Sequence, residues 1–177
     1  AVIPAFERLK SSGRIGAWGV TTASTQSENL AVVSAHQRPD VVQCITNLLD
    51  SSASMALTEE VPMPRQVISK AEDAGIGVMG IRAVAAGSLT DAIDRDVHPK
   101  SAELKDFQRS AGFRELAKSN GLSPAYLAHL YALSMPGVDT VVLGVKNREE
   151  LTECLEAEAA APMSAELVAA MDASVAN

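Results

Sequence analysis

The chain has 177 residues, of which 47% are hydrophobic and only 3% aromatic, and its formal net charge is −7. That length holds one domain with a real core, and the negative charge excludes a nucleic-acid backbone or an anionic membrane as the main partner. Neither a signal peptide nor an apolar run of 18 residues can be read in it, and Cys44 and Cys154 lack CxxC or metal spacing, so they read as reduced core thiols of a cytoplasmic protein.

Residues 3–13 (IPAFERLKSSG) form the first helical pattern, with a proline near the start and a glycine stop. A nearly continuous apolar stretch, RIGAWGVT (14–21), predicts a buried strand. Residues 24–36 then read as a helix with Ser and Thr caps, and DVVQCITNLLD (40–50) as a second strand. The next pair is a helix over 62–75, opened by prolines and closed by Gly75, and a strand over 75–84 (GIGVMGIRAV). Residues 87–122 form a long insert: a polar stretch, then one helical pattern with Phe107, Phe113 and Leu116 on a single face. Inserts of that length often carry substrate loops. Ser123 at an N-cap and Pro124 behind it start a helix over 123–135, TVVLGV (140–145) is the fourth strand, and helices over 148–160 and 164–176 close the chain.

Strands alternating with helices require right-handed crossovers and a parallel α/β sheet. The spacing fits a ring of βα units, read as one domain over residues 1–177. Four strands cannot close a ring that needs eight. An open four-stranded piece leaves two bare edges and an uncovered inner face.

The turn after the fourth strand, Gly144-Val145-Lys146-Asn147-Arg148-Glu149-Glu150, carries the clearest local chemistry. Asn147 is a good N-cap and Glu150 stands at N3, a capping-box arrangement. The same helix start, with free N–H groups, a favourable dipole and Lys146, suits a phosphate. No histidine has Cys or carboxylate neighbours at ligand spacing, so no metal site is expected. Tyr126, His129 and Tyr131 share one helix and read as packing residues, as does Trp18 on its strand.

Four stretches, AFERLKSSGRIGAWGVTT, PDVVQCITNLLD, GIGVMGIRAVAAGSLT and YALSMPGVDTVVLGVKNREELTECLEA, occur in the order expected for the last four strands of an aldo-keto reductase. The chain resembles the carboxyl-terminal half of that (β/α)8 family over nearly its whole length: four parallel βα units plus a terminal helix. The resemblance implies an oxidoreductase that reduces aldehydes and ketones with NADP, or NAD, by direct hydride transfer. It assigns Thr21, Thr22 and Gln43 to the nicotinamide carboxamide, Ile81 to the nicotinamide ring and Arg82 to a place near the cofactor. Gly144, Val145, Lys146 and Asn147 fall on the loop that holds the adenosine-side phosphate. Glu150 stands where many NADPH-preferring members have arginine, and Glu153 with Cys154 where the family often has Glu-Asn on the adenine. The family's catalytic Asp, Tyr, Lys and His belong to its first four strands, which have no counterpart here. The resemblance therefore implies a fragment inactive alone, or a non-catalytic half-barrel completed by a second copy or a separate chain.

Overall fold

The computed structural model describes residues 2–53 and 61–175; Ala176, the last residue of the expected final helix, lies outside them. Four strands, β1 (Gly19–Thr21), β2 (Val41–Ile45), β3 (Gly77–Ile81) and β4 (Thr140–Val141), pair in parallel in the order β1-β2-β3-β4. The helices are α1 (Val2–Ser11), α2 (Gln26–Ser34), α3 (Pro64–Asp73), α4 (Ala102–Arg109), α5 (Ala111–Ser119), α6 (Pro124–Leu133), α7 (Arg148–Ala160) and α8 (Ala165–Val175). Sequential strands lie side by side, as expected for an arc of a βα barrel.

Side chains alternate between the faces of each strand, and the two faces have different fates. Val42, Cys44 and Val78 are buried against Val33 of α2 and Val67, Ile68 and Ala71 of α3. The row Thr21–Gln43–Met79–Thr140, in register across all four strands, points the other way and stays partly or fully exposed. A second core lies beyond the strand ends, where Leu89, Phe113, Ala117, Leu127, Tyr131 and Met171 join the insert to α6 and α8.

Local chemistry sets the boundaries. Thr25 caps α2 in a complete capping box with Glu28, and Ser123 accepts the Tyr126 amide at 3.0 Å at the start of α6. The carboxamide of Gln26 binds both the N–H of Met63 (2.9 Å) and its carbonyl (3.2 Å), fixing the start of α3 from another element. Asp40 accepts the Trp18 amide at 3.0 Å and pairs with Lys10, tying α1 to the foot of the sheet. Trp18 is buried against Phe6, with ring centroids 5.6 Å apart, and donates from Nε1 to Glu7 at 2.6 Å.

The regular elements are shorter than the apolar runs suggested. The first strand begins at Gly19, not residue 14, because pairing with β2 starts only at Val41. The second ends at Ile45, where the Asn47 side chain accepts the amides of Leu49 (3.1 Å) and Ser51 (3.3 Å) and turns the backbone. The fourth is regular only over Thr140–Val141, opposite Met79 and Gly80, although the Val142 amide still donates to the Gly80 carbonyl at 2.8 Å. The single helix expected in the insert is two. Phe107 lies on α4, under the Arg114 guanidinium at 3.8 Å, while Phe113 and Leu116 lie on α5. Ser110 makes the break: its hydroxyl donates to Ser88 O at 2.6 Å. Gly112 then lets α5 approach α8, where an added Cβ would lie 2.5 Å from the Ser174 carbonyl oxygen.

Candidate functional site

Beyond the carboxyl ends of β3 and β4 lies a cleft of about 610 Å³, the position where barrel and open α/β sheets hold ligands. One wall is the segment after β3, including Ala86, Gly87, Thr90, Asp94 and Arg95; the other is Gly144, Val145, Lys146 and the first turns of α7 with Glu150 and Glu153. His129 of α6 also lines it.

The β3 wall is strained. Arg82 (φ 61), Ala85 (φ 47) and Ala86 (φ 55) are left-handed, followed by Gly87 at φ 92. Each such non-glycine residue costs roughly 1–3 kcal/mol and persists where surroundings impose it, commonly at ligand sites. Here Arg95 holds the turn by donating to the Ala86 carbonyl at 2.7 Å. The Arg82 guanidinium has its Nε and Nη2 buried without a hydrogen-bond partner. Burial pushes its pKa down, against the pull of Glu103. Orphaned donors of this kind call for an acceptor.

On the opposite wall Asn147 caps α7 as expected, accepting the Glu150 amide at 2.8 Å. The reciprocal arm differs from a capping box: the Glu150 carboxylate accepts the Lys146 amide at 2.8 Å, one residue before the cap. Glu150 also lies 3.5 Å from the Lys146 ammonium, which pairs in addition with Asp94 across the cleft. These contacts hold Asp94 below its usual pKa and raise that of Lys146. The slot at the start of α7 is therefore occupied by the chain's own carboxylate. Among the described residues the amides of Arg148 and Glu149 carry no protein acceptor, as expected in a first helical turn. Behind this wall Cys154 Sγ lies 3.5 Å from His129 Nδ1. Burial raises the thiol pKa and lowers that of the imidazole, so both are neutral at pH 7. Glu153 accepts the Ser123 hydroxyl, which commits one of its oxygens.

On the uncovered face of the sheet, Thr21 donates to Gln43 Oε1 at 2.9 Å. That fixes the carboxamide with its NH₂ toward Met79 Sδ at 3.5 Å, a weak acceptor. Gln43 thus keeps donor capacity on the open face beside β1, in a hollow lined by Trp18, Thr21, Val41 and Met79. Thr22 turns away: it is 7% exposed and its hydroxyl donates to the Gln43 carbonyl at 2.9 Å. Ile81 ends β3 on the open face, two residues beyond Met79. Tyr131 lies in the helical core, accepting from Arg65 and donating to Asp172, each at 2.6 Å.

The structure brings Thr21 and Gln43 together and gathers Gly144, Val145, Lys146 and Glu150 on one cleft wall. The facing wall, from Ala86 to Arg95, is the start of the insert expected to carry a substrate loop, though none of its residues was singled out from sequence. Its signal was Ala-Ala-Gly directly after an apolar strand, the kind of tight turn found at carboxyl ends of βα units. Asp94 carried no local signal, because its partner Lys146 is 52 residues away. Among the described residues no helix is long and apolar enough to cross a membrane, and no group of three or more His, Cys, Asp or Glu side chains is placed to hold a metal ion.

None of the curated protein sequences compared matches the chain. Among solved structures, the aldo-keto reductase AKR11C1 from Bacillus halodurans is similar in both its apo and holo forms, with TM-score 0.66 and 19% sequence identity. Each match covers 98% of this chain and 56% of that one, so the chain spans little more than half the length of these relatives. The arc of parallel strands is thus the arc of an aldo-keto reductase barrel. A sequence model of the Aldo/keto reductase family matches residues 1–176, and the chain belongs to that family.

Proposed function

We propose that the chain supplies the nicotinamide-dinucleotide side of an oxidoreductase site that reduces aldehydes and ketones, with NADP as cofactor and NAD as the alternative. The observation that carries this reading is the Gln43 carboxamide, held by Thr21 on the open face with its NH₂ left only the weak acceptor Met79 Sδ. The cofactor would supply the hydride. Thr21 and Gln43 would orient its carboxamide, and Ile81 would pack against the ring. Gly144, Val145, Lys146, Asn147 and the first amides of α7 would take its adenosine-side phosphate, Arg82 would stand near the cofactor, and Glu153 would meet the adenine end. For Lys146 to engage a phosphate it must release Asp94 or Glu150. Family membership, the cleft's position and the strained β3 turn support this reading. Two free, buried thiols accord with a reducing cytoplasm.

Carbonyl reduction also needs a proton donor within reach, and we assign none to these 177 residues: the Tyr131 hydroxyl is held by Asp172 and Arg65, and burial raises its pKa further. The 177-residue chain should bind NADP⁺ or NAD⁺ in a calorimetric titration yet show no turnover with generic aldehydes. Absence of binding to either dinucleotide removes the site, and a kcat on the order of 1 s⁻¹ or more removes the assignment of the proton donor elsewhere.

A further inference from the structure

Helix α6 (PAYLAHLYAL) is apolar along most of its length, and Leu127, Ala128 and Leu130 on it are buried. His129, between them in sequence, is buried too but lines the cleft, with Ala125 four residues earlier on the same helix face. Helix α7 brings Glu150 and Glu153 to that cleft and sets Cys154 against the imidazole. A buried neutral imidazole has one nitrogen that donates and one that accepts, and both call for partners. Among the described residues the one partner of either nitrogen is the Cys154 thiol, 3.5 Å from Nδ1 and 3.9 Å from Nε2. A thiol is a weak donor with a single hydrogen, so at least one ring nitrogen is left without an ordinary hydrogen bond.

We infer that His129 is a base-contacting residue of the dinucleotide site: its imidazole hydrogen-bonds the adenine, while the Cys154 thiol fixes the position of the ring. Burial keeps the imidazole neutral against the pull of Glu153 and Glu150. Those two carboxylates repel a phosphate here and suit an uncharged group that both donates and accepts. Of the parts of a nicotinamide dinucleotide, the carboxamide goes to Gln43 and the adenosine-side phosphate to Lys146, which leaves the purine. Adenine carries a donor and an acceptor side by side, at its 6-amino group and N7, and Ala125 beside the imidazole adds only a methyl group to the wall. The inference rests on the cofactor reading and adds a contact that the apolar run around His129 conceals in the sequence.

Imidazole ¹⁵N NMR of the unaltered chain, which has three histidines, tests it first. The His129 ring resonances should shift on addition of 5′-AMP. Nicotinamide mononucleotide, which carries a phosphate but no purine, should leave them in place. Calorimetric titration of His129→Leu should show NAD⁺ and ADP-ribose weakened about 3- to 10-fold, the value of one lost hydrogen bond, with nicotinamide mononucleotide unchanged. His129→Gln, which keeps a donor and an acceptor, should recover most of that loss. Equal weakening of all three ligands, or His129 resonances that ignore 5′-AMP, overturns the inference. Should His129→Leu unfold, the resonances of the unaltered chain decide. An unaltered chain that binds neither dinucleotide removes the cofactor reading and this inference with it, whereas NAD⁺ binding untouched by His129→Leu removes this inference alone.

Discussion

Replacing Glu150 by glutamine tests the electrostatics of the cleft most directly. In the structure one oxygen of this carboxylate accepts the Lys146 amide at 2.8 Å, and the other lies 3.5 Å from the Lys146 ammonium. A phosphate arriving at Lys146 therefore meets a resident negative charge. Taking about two charges on a 2′-phosphate and a separation of roughly 5 Å in water, Coulomb's law gives an unfavourable term of about 1.5 kcal/mol, close to tenfold in affinity. Glutamine keeps an acceptor for the amide and removes the charge. Titration calorimetry of Glu150→Gln should show NADP⁺ binding strengthened by up to about tenfold at low salt, and NAD⁺, which lacks that phosphate, changed much less. The gain should shrink at about 0.5 M salt, where screening acts over a few ångströms. An unchanged or reduced NADP⁺ to NAD⁺ affinity ratio would show that the phosphate does not lie beside Lys146, and would refute the assignment of this helix start.

Gln43→Leu should weaken nicotinamide dinucleotides by about 3- to 10-fold, the value of one lost hydrogen bond, and leave ADP-ribose unaffected; equal loss for both ligands would move Gln43 away from the carboxamide. Phe113→Ala removes a side chain with no exposure at the junction of the insert, α6 and α8, so urea denaturation should register a loss of about 3–5 kcal/mol; a loss under about 1 kcal/mol would mean the insert is not part of the cooperative core. Hydrogen bonds from Lys10 and the Trp18 amide hold Asp40 below the usual aspartate value of 3.8, so its contribution is complete above pH 3.8 and lost as pH falls through the lower native value. Asp40→Asn should therefore flatten the acid limb of stability, measured as urea midpoints at pH 6 and pH 3, and an identical acid limb in both proteins would count against the tether. Burial raises the Cys44 thiol from 9.0 to about 11; native protein should resist thiol reagents at pH 8 and lose stability as pH rises past 9 toward 11, whereas rapid labelling in the native state would contradict that burial.

What the sequence by itself determined is the alternation of helices and apolar strands, the parallel sheet that alternation requires, and the capped turn after the fourth strand. These follow from periodicity and from side chains acting on their own backbone within a few residues, as Thr25, Ser123 and Asn147 do. The family resemblance assigned Thr21 and Gln43 to one ligand group, and it is the structure that joins their side chains at 2.9 Å. Only the tertiary structure decided where the strands run, because a strand extends as far as its partner does: β1 begins at Gly19, where β2 offers Val41 to pair with it. It alone split the insert into two helices at Ser110, whose anchor Ser88 is 22 residues away. It alone set Asp94 against Lys146 and left two nitrogens of Arg82 without acceptors. Those features depend on groups brought together across the chain, and no local pattern records a charge whose partner lies 52 residues away.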